Sequence, residues 1–191
     1  MRRRAVWVAN DHVRREVEKQ PVVEHAGAGD TEIGRYFAPN DAEVTAIADA
    51  LTAAGIETAV TDDPQTALWE KVLVNVGINA ATALARVPNG HLVRYAAGER
   101  LLERAVEEGV AVAQAEGRSV SATVIETAKT VARQTAANRS SMRQDLEAGS
   151  KTEIEALNGA LVSLGRDNGV ETPVNRTLAD LIRLAETIDG D

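Results

Sequence analysis

The period of the hydrophobic residues changes near residue 64. Before it they come in short runs. Positions 22–25 and 33–37 read as β-strands, and Gly27-Ala-Gly29-Asp30 between them predicts a hairpin turn. After Pro39-Asn40, the residues Val44, Ile47, Ala48 and Leu51 recur at helical spacing until Gly55, and a short strand over 56–61 ends at Asp62-Asp63-Pro64. Residues 22–61 therefore read β-β-α-β, the tail of an α/β sheet domain. Beyond Pro64 every periodic segment is helical. One long helix over about 65–86 stops before Pro88-Asn89-Gly90, a second over 93–116 is closed by Gly117, and a third runs from Ser121 to about 138. A helical turn follows Ser140-Ser141. Ile154, Leu157, Leu161 and Leu164 then share one helix face up to Gly169, and Pro173 opens a last helix carrying Val174, Leu178, Leu181, Ile182 and Ala185. The fold class expected is an α/β portion over 1–65 followed by an all-α domain over 66–191, and no internal repeat is visible.

The most informative segment inside that pattern is Lys71-Val-Leu-Val-Asn75-Val-Gly-Ile-Asn79. Each four-residue step on an α-helix advances the azimuth by only about 40°, so the amine and both amides share one stripe over roughly 12 Å of axis. The residues between them are apolar, so the stripe faces either a small-molecule cleft or, more plainly, a bundle interior that satisfies the amides while the lysine tip reaches solvent. A lysine on a wall of valine and leucine has a partly desolvated ammonium, and desolvation favours proton release. His12, His25 and His91 have no partner at ligand spacing, so structural or surface roles and no metal are expected. Gly27-Ala-Gly29-Asp-Thr-Glu-Ile-Gly34 imitates a dinucleotide loop, but Glu32 stands where the third glycine is needed and a strand follows instead of a helix.

Composition narrows the partners. The 191 residues carry a formal net charge of −8, which disfavours nucleic acid and anionic membranes as partners and leaves a small anionic substrate open. Aromatic residues make up only 3%, which suits helices packed through small side chains. Lysine occurs at positions 19, 71, 129 and 151, and arginine supplies the rest of the 21 basic residues, a bias that salt adaptation and a GC-rich genome both produce. There is no cysteine, hence no disulfide or thiolate chemistry. The five-residue apolar run after Met-Arg-Arg-Arg is too short for a signal-peptide core, and a cytoplasmic location is expected.

The motifs, taken together, resemble the ketopantoate reductase (2-dehydropantoate 2-reductase) family. They are Leu68-Trp-Glu-Lys71 through Asn79, Val87-Pro-Asn89-Gly90, Ser140-Ser141-Met-Arg-Gln-Asp145 through Lys151-Thr-Glu153-Ile, Leu157-Asn158-Gly159, and Gly169-Val-Glu-Thr-Pro173-Val-Asn175. The resemblance covers about residue 22 to the C-terminus. It implies the tail of a Rossmann-like NADP-binding domain followed by a helical domain of the 6-phosphogluconate dehydrogenase C-terminal type. It further implies NADPH as cofactor, a small 2-oxo acid as substrate, and a place in pantothenate and coenzyme A biosynthesis.

By the same resemblance Lys71 is the general acid, Asn75 and Asn79 hold substrate oxygens, and Asn89, Asn138 and Ser141 are further substrate contacts, Ser141 near the carboxylate. Glu153 reaches the cofactor side of the cleft and helps orient the lysine. The family's opening strand, G-x-G-x-x-G and helix have no counterpart before residue 22, where the charged run Arg14-Arg-Glu-Val-Glu-Lys19 suggests a replacement helix or a shifted-frame leader. Two readings follow: a reductase half that acts with a separate Rossmann-bearing chain, or a non-catalytic helical dimerisation or ligand-binding module. In either case the edge of a partial sheet is expected to favour a homo-oligomer.

Overall fold

The computed structural model describes residues 31–187 in full and residues 6–9, 13–18 and 20–25 as backbone strands. The chain divides into two compact units, residues 1–68 and 69–191.

In the first unit, β1 (Val6–Ala9), β4 (Thr31–Arg35) and β5 (Thr58–Val60) form a sheet in the order β1-β4-β5, while β2 (Val13–Glu18) and β3 (Gln20–His25) pair separately. The expected hairpin between 22–25 and 33–37 is therefore not the pairing found. Strand β3 pairs antiparallel with β2, and β4 is antiparallel to β1 and parallel to β5. The turn expected at Gly27-Ala-Gly29-Asp30 lies outside the described residues. The charged run, for which a replacement helix is one of two expectations, is strand instead over residues 14–18. Strand β2, Val-Arg-Arg-Glu-Val-Glu, runs antiparallel to β3 with Arg14 in register with Glu24. Helix α1 (Ala42–Ala53) covers β4, burying Val44 and Ala48 against Ile33, and Asp41 caps it by accepting from Glu43 N and Val44 N. Gly34 lies under the Thr61 carbonyl so closely that a Cβ would collide with it.

The second unit is built on α2 (Pro64–Ala85), which begins in the first unit and contributes its residues 69–85 to the second. Val76 to Ala83 are buried without interruption. Helix α4 (Ala96–Ala115) meets α2 through two glycines: Gly77 faces Leu102 and Val106, and Gly109 receives the Leu73 side chain. Either Cβ would hold the helices apart, so small residues set this close crossing. Helix α2 ends where Arg86 takes a positive φ of 55° and Val87 N returns to Thr82 O at 3.2 Å, a Schellman-type stop without its usual glycine.

The helix expected over 93–116 is divided. Tyr95 is extended between α3 (His91–Arg94) and α4, and Gly98 packs on the Leu92 backbone, an approach that a Cβ at 2.7 Å from Leu92 Cα would prevent. Helix α5 is Val124–Gln134, three residues later than expected, because the Ser121 and Thr123 hydroxyls form a local turn with Thr123 N donating to Ser121 Oγ. Lys129 ties α5 to α4 through Glu103 at 2.6 Å and Glu99 at 3.1 Å, joined by Glu126. These carboxylates, Glu103 first, hold its ammonium well above the ordinary lysine range. Helices α6 (Ser141–Glu147), α7 (Ala160–Asp167) and α8 (Pro173–Glu186) complete the unit.

A π-helical turn, Glu155–Gly159, precedes α7 in place of the regular helix that the spacing predicts. The extra residue it accommodates turns Asn158 inward. Asn158 Nδ2 donates to Asn175 Oδ1 at 2.9 Å, and Asn175 Nδ2 donates to Ala105 O and to Glu108 Oε2. Glu108 also accepts from Val174 N and Asn175 N, capping α8 behind Pro173. No helix among the described residues is long and apolar enough to cross a membrane.

Candidate functional site

The wall expected from Lys71, Asn75 and Asn79 lies on α2. Residues 73 and 77, which meet α4, differ from 71 and 75 by two positions, about 200° around the helix, so the polar stripe is on roughly the opposite side. Burial grades along it. Lys71 and Asn75 are half-buried and Asn79 is buried, so the wall slopes into the unit.

At its deep end the stripe reaches α6. Thr82 Oγ1 donates to Ile78 O at 2.8 Å and lies 2.8 Å from Ser140 Oγ. Ser140 Oγ sits 3.4 Å from Asn79 O and caps α6 by accepting from Arg143 N. Of two adjacent serines, Ser140 is thus buried and committed to structure while Ser141 is exposed and open to a ligand.

Asn89 and Asn138 are brought together through the backbone: Asn89 N donates to Asn138 O at 3.0 Å and Gly90 N to Ala136 O at 3.2 Å. Gly90 permits this approach, since a Cβ there would sit 2.6 Å from Ala136 Cβ. The Asn89 side chain is buried, Nδ2 donating to Thr135 Oγ1 while Oδ1 has no protein partner. Asn138 is exposed in the turn after α5 instead of ending that helix.

Glu153 is exposed between two anchored neighbours. Ile154 is fully buried, and Thr152 N and its hydroxyl both donate to Glu186 Oε1, at 2.8 and 2.7 Å. Burial and the charge of Glu153 raise the Asp145 carboxyl above its ordinary range, so the two acids face one region. A cavity of about 290 Å³ beside this loop is lined by Leu146, Gly149, Ser150, Lys151 and Glu186. Among the described residues no group of three or more His, Asp or Glu could hold a metal.

Thr82, Ser140 and Asp145 are parts of this region that the sequence pattern does not single out. Thr82 carries a signal, a polar residue three beyond Asn79 in an otherwise apolar turn; its partner 58 residues away carries none.

The architecture, part of a Rossmann-like sheet followed by a helical unit, is the class shared with solved ketopantoate reductases. A ketopantoate reductase of the PanE/ApbA family from Ralstonia eutropha JMP134 superposes with a TM-score of 0.83 at 31% identity, over 97% of this chain and 60% of that one. The family described as "Ketopantoate reductase PanE/ApbA C terminal" matches residues 63–186, and the chain belongs to it. The 2-dehydropantoate 2-reductase of Halobacterium salinarum is 62% identical over 165 residues, 86% of this chain and 54% of that protein. That of Archaeoglobus fulgidus is 38% identical over 165 residues, 86% of this chain and 55% of its own length. The chain spans about half the length of these curated relatives.

Proposed function

We propose that this chain is the substrate-binding and proton-donating part of an NADPH-dependent 2-dehydropantoate 2-reductase, which forms pantoate for coenzyme A synthesis. The observation that carries the reading is the α2 stripe, whose amine and two amides lie within the matched residues 63–186. Reduction of a 2-oxo acid develops negative charge on the carbonyl oxygen. Lys71 is the group on this wall able to stabilise that charge and then give up a proton to it. Asn75 and Asn79 orient substrate oxygens, Ser141 donates toward the carboxylate, and Asn138 and Asn89 border the same ligand, Asn89 through its unpartnered Oδ1.

Glu153, exposed at the end of an anchored loop, accepts from a ribose hydroxyl of the nucleotide. The described residues supply no strand, glycine turn and helix for a pyrophosphate, and Gly34 is closed over by the Thr61 carbonyl. The described residues therefore do not fit the whole cofactor, and beyond the single Glu153 contact their side chains account for substrate binding and proton transfer. The reading needs a glycine-rich nucleotide fold from beyond the described residues, in the same protein or in a Rossmann-bearing partner, with self-association through the sheet edges as the further expectation.

The test is a fusion of this chain to the nucleotide fold of the Halobacterium relative, assayed by NADPH oxidation with 2-dehydropantoate. Lys71→Ala should lower kcat by about 10² or more. An unchanged kcat removes Lys71 from the chemistry, and a folded fusion that binds NADPH yet does not oxidise it with 2-dehydropantoate removes the substrate.

A further inference from the structure

We propose that Thr82 is a positioning residue for the substrate, acting through Ser140 to fix the spacing between the Asn79 amide and the Ser141 hydroxyl; this rests on the substrate reading above. Thr82 has no exposed surface, and its hydroxyl already has an acceptor in its own helix, Ile78 O at 2.8 Å. Burial alone would be met as well by valine, which has the same shape without a polar atom to satisfy. Besides Ile78 O and Asn79 O, the latter at 3.1 Å, the hydroxyl has a partner outside its helix, Ser140 Oγ at 2.8 Å, across 58 residues of sequence.

Ser140 Oγ in turn faces three groups at once: Thr82, Asn79 O at 3.4 Å and the Arg143 N–H that it caps at 3.3 Å. Two hydroxyls therefore join the last polar turn of α2 to the first turn of α6. Asn79 belongs to one side of this junction, and Ser141 follows Ser140 directly on the other. Met142, 1% exposed, pins α6 from the core side, so the hydroxyl junction is what sets the lateral register of its exposed first residue. Two substrate contacts from distant parts of the chain act on one ligand only if their separation is held, and a buried pair that touches no ligand holds it.

The experiment uses the full chain with Thr82→Val, which removes the hydroxyl at constant shape, and Thr82→Ser, which keeps it. Amide exchange at Arg143 reports the junction, and NMR titration with 2-dehydropantoate reports affinity, with the melting temperature followed in parallel. Thr82→Val should speed Arg143 exchange and weaken binding, each by about tenfold, while Thr82→Ser stays within about twofold of the parent on both. Ser140→Ala removes the junction together with the Arg143 cap, so its loss of 2-dehydropantoate affinity, and not its exchange rate, should match Thr82→Val, and a valine variant that fails to fold leaves the question decidable.

Wild-type exchange at Arg143 in Thr82→Val or in Ser140→Ala overturns the junction. Faster exchange with unchanged affinity overturns the positioning role. Equal loss of affinity in Thr82→Val and Thr82→Ser does the same, because only packing would then be at work. Should the parent chain bind 2-dehydropantoate only when fused to the nucleotide fold, the same affinities are read from KM in the fusion; absence of binding and turnover in both overturns the substrate reading and the role of Thr82 with it, while the exchange data still report the junction separately.

Discussion

Asn175→Ala should be among the most destabilising single changes in the helical unit, because it strands polar groups that no other side chain replaces. Asn175 and Asn158 are both fully buried. The substitution removes three hydrogen bonds: Asn158 Nδ2 to Asn175 Oδ1 at 2.9 Å, Asn175 Nδ2 to Ala105 O at 3.0 Å, and Asn175 Nδ2 to Glu108 Oε2 at 2.8 Å. At about 1 kcal/mol net for each, with about 1 more for the orphaned Asn158 amide, the loss is about 4 kcal/mol. Asn158 Oδ1 already lacks a partner, so that side chain would be left with no bond at all.

Asn158→Ala loses only one of these bonds and discards the unsatisfied Oδ1, so its cost should be about 1–2 kcal/mol. In the double variant the orphan disappears and the bond shared by the two side chains is lost only once, so the total should fall short of the sum by about 2–3 kcal/mol. Urea unfolding followed by circular dichroism at the helix band measures all three. With m near 2 kcal/mol per molar, Asn175→Ala should lower the midpoint by about 2 M. A shift under about 0.5 M, or Asn158→Ala costing as much as Asn175→Ala, would refute the reasoning that orphaned amides dominate.

In the fused reductase, Asn75→Ala, Asn79→Ala and Ser141→Ala should mainly raise KM, by an amount equivalent to about 1–3 kcal/mol each; a loss confined to kcat contradicts the binding assignment. Asp145→Asn should raise the melting temperature at neutral pH. Burial first, then the Glu153 charge, raise the folded-state carboxyl, so the folded form holds its proton to higher pH than the unfolded chain, and stability falls as pH rises through that window. The gain from Asp145→Asn should vanish below the ordinary carboxylate range, and a gain that persists there refutes the electrostatic cause. This chain alone should bind NADPH negligibly: one or two hydrogen bonds at Glu153 are worth about 1 kcal/mol each against roughly 8 for micromolar affinity. Calorimetric titration showing one micromolar site per chain would refute it.

The sequence by itself determined whatever depends on period. The switch from runs to three- and four-residue spacing near Pro64, the α2 stripe of Lys71, Asn75 and Asn79, and the start of α8 at Pro173 all follow from side-chain azimuth and local capping, which neighbouring residues decide. Tertiary structure alone decided the rest. The strand partners differ from the expected hairpin because pairing is chosen among all available edges, so β3 took β2 and β4 took β1 and β5. The break at Tyr95 depends on Gly98 finding the Leu92 backbone, and the π-helical turn on Asn158 finding Asn175. Ser140 and Ser141 are indistinguishable in sequence. They separate into a buried cap and an exposed donor only because Thr82, 58 residues earlier, supplies a partner for one of them. Burial of a polar group is decided by what lies across from it, and the linear order of residues does not carry that information.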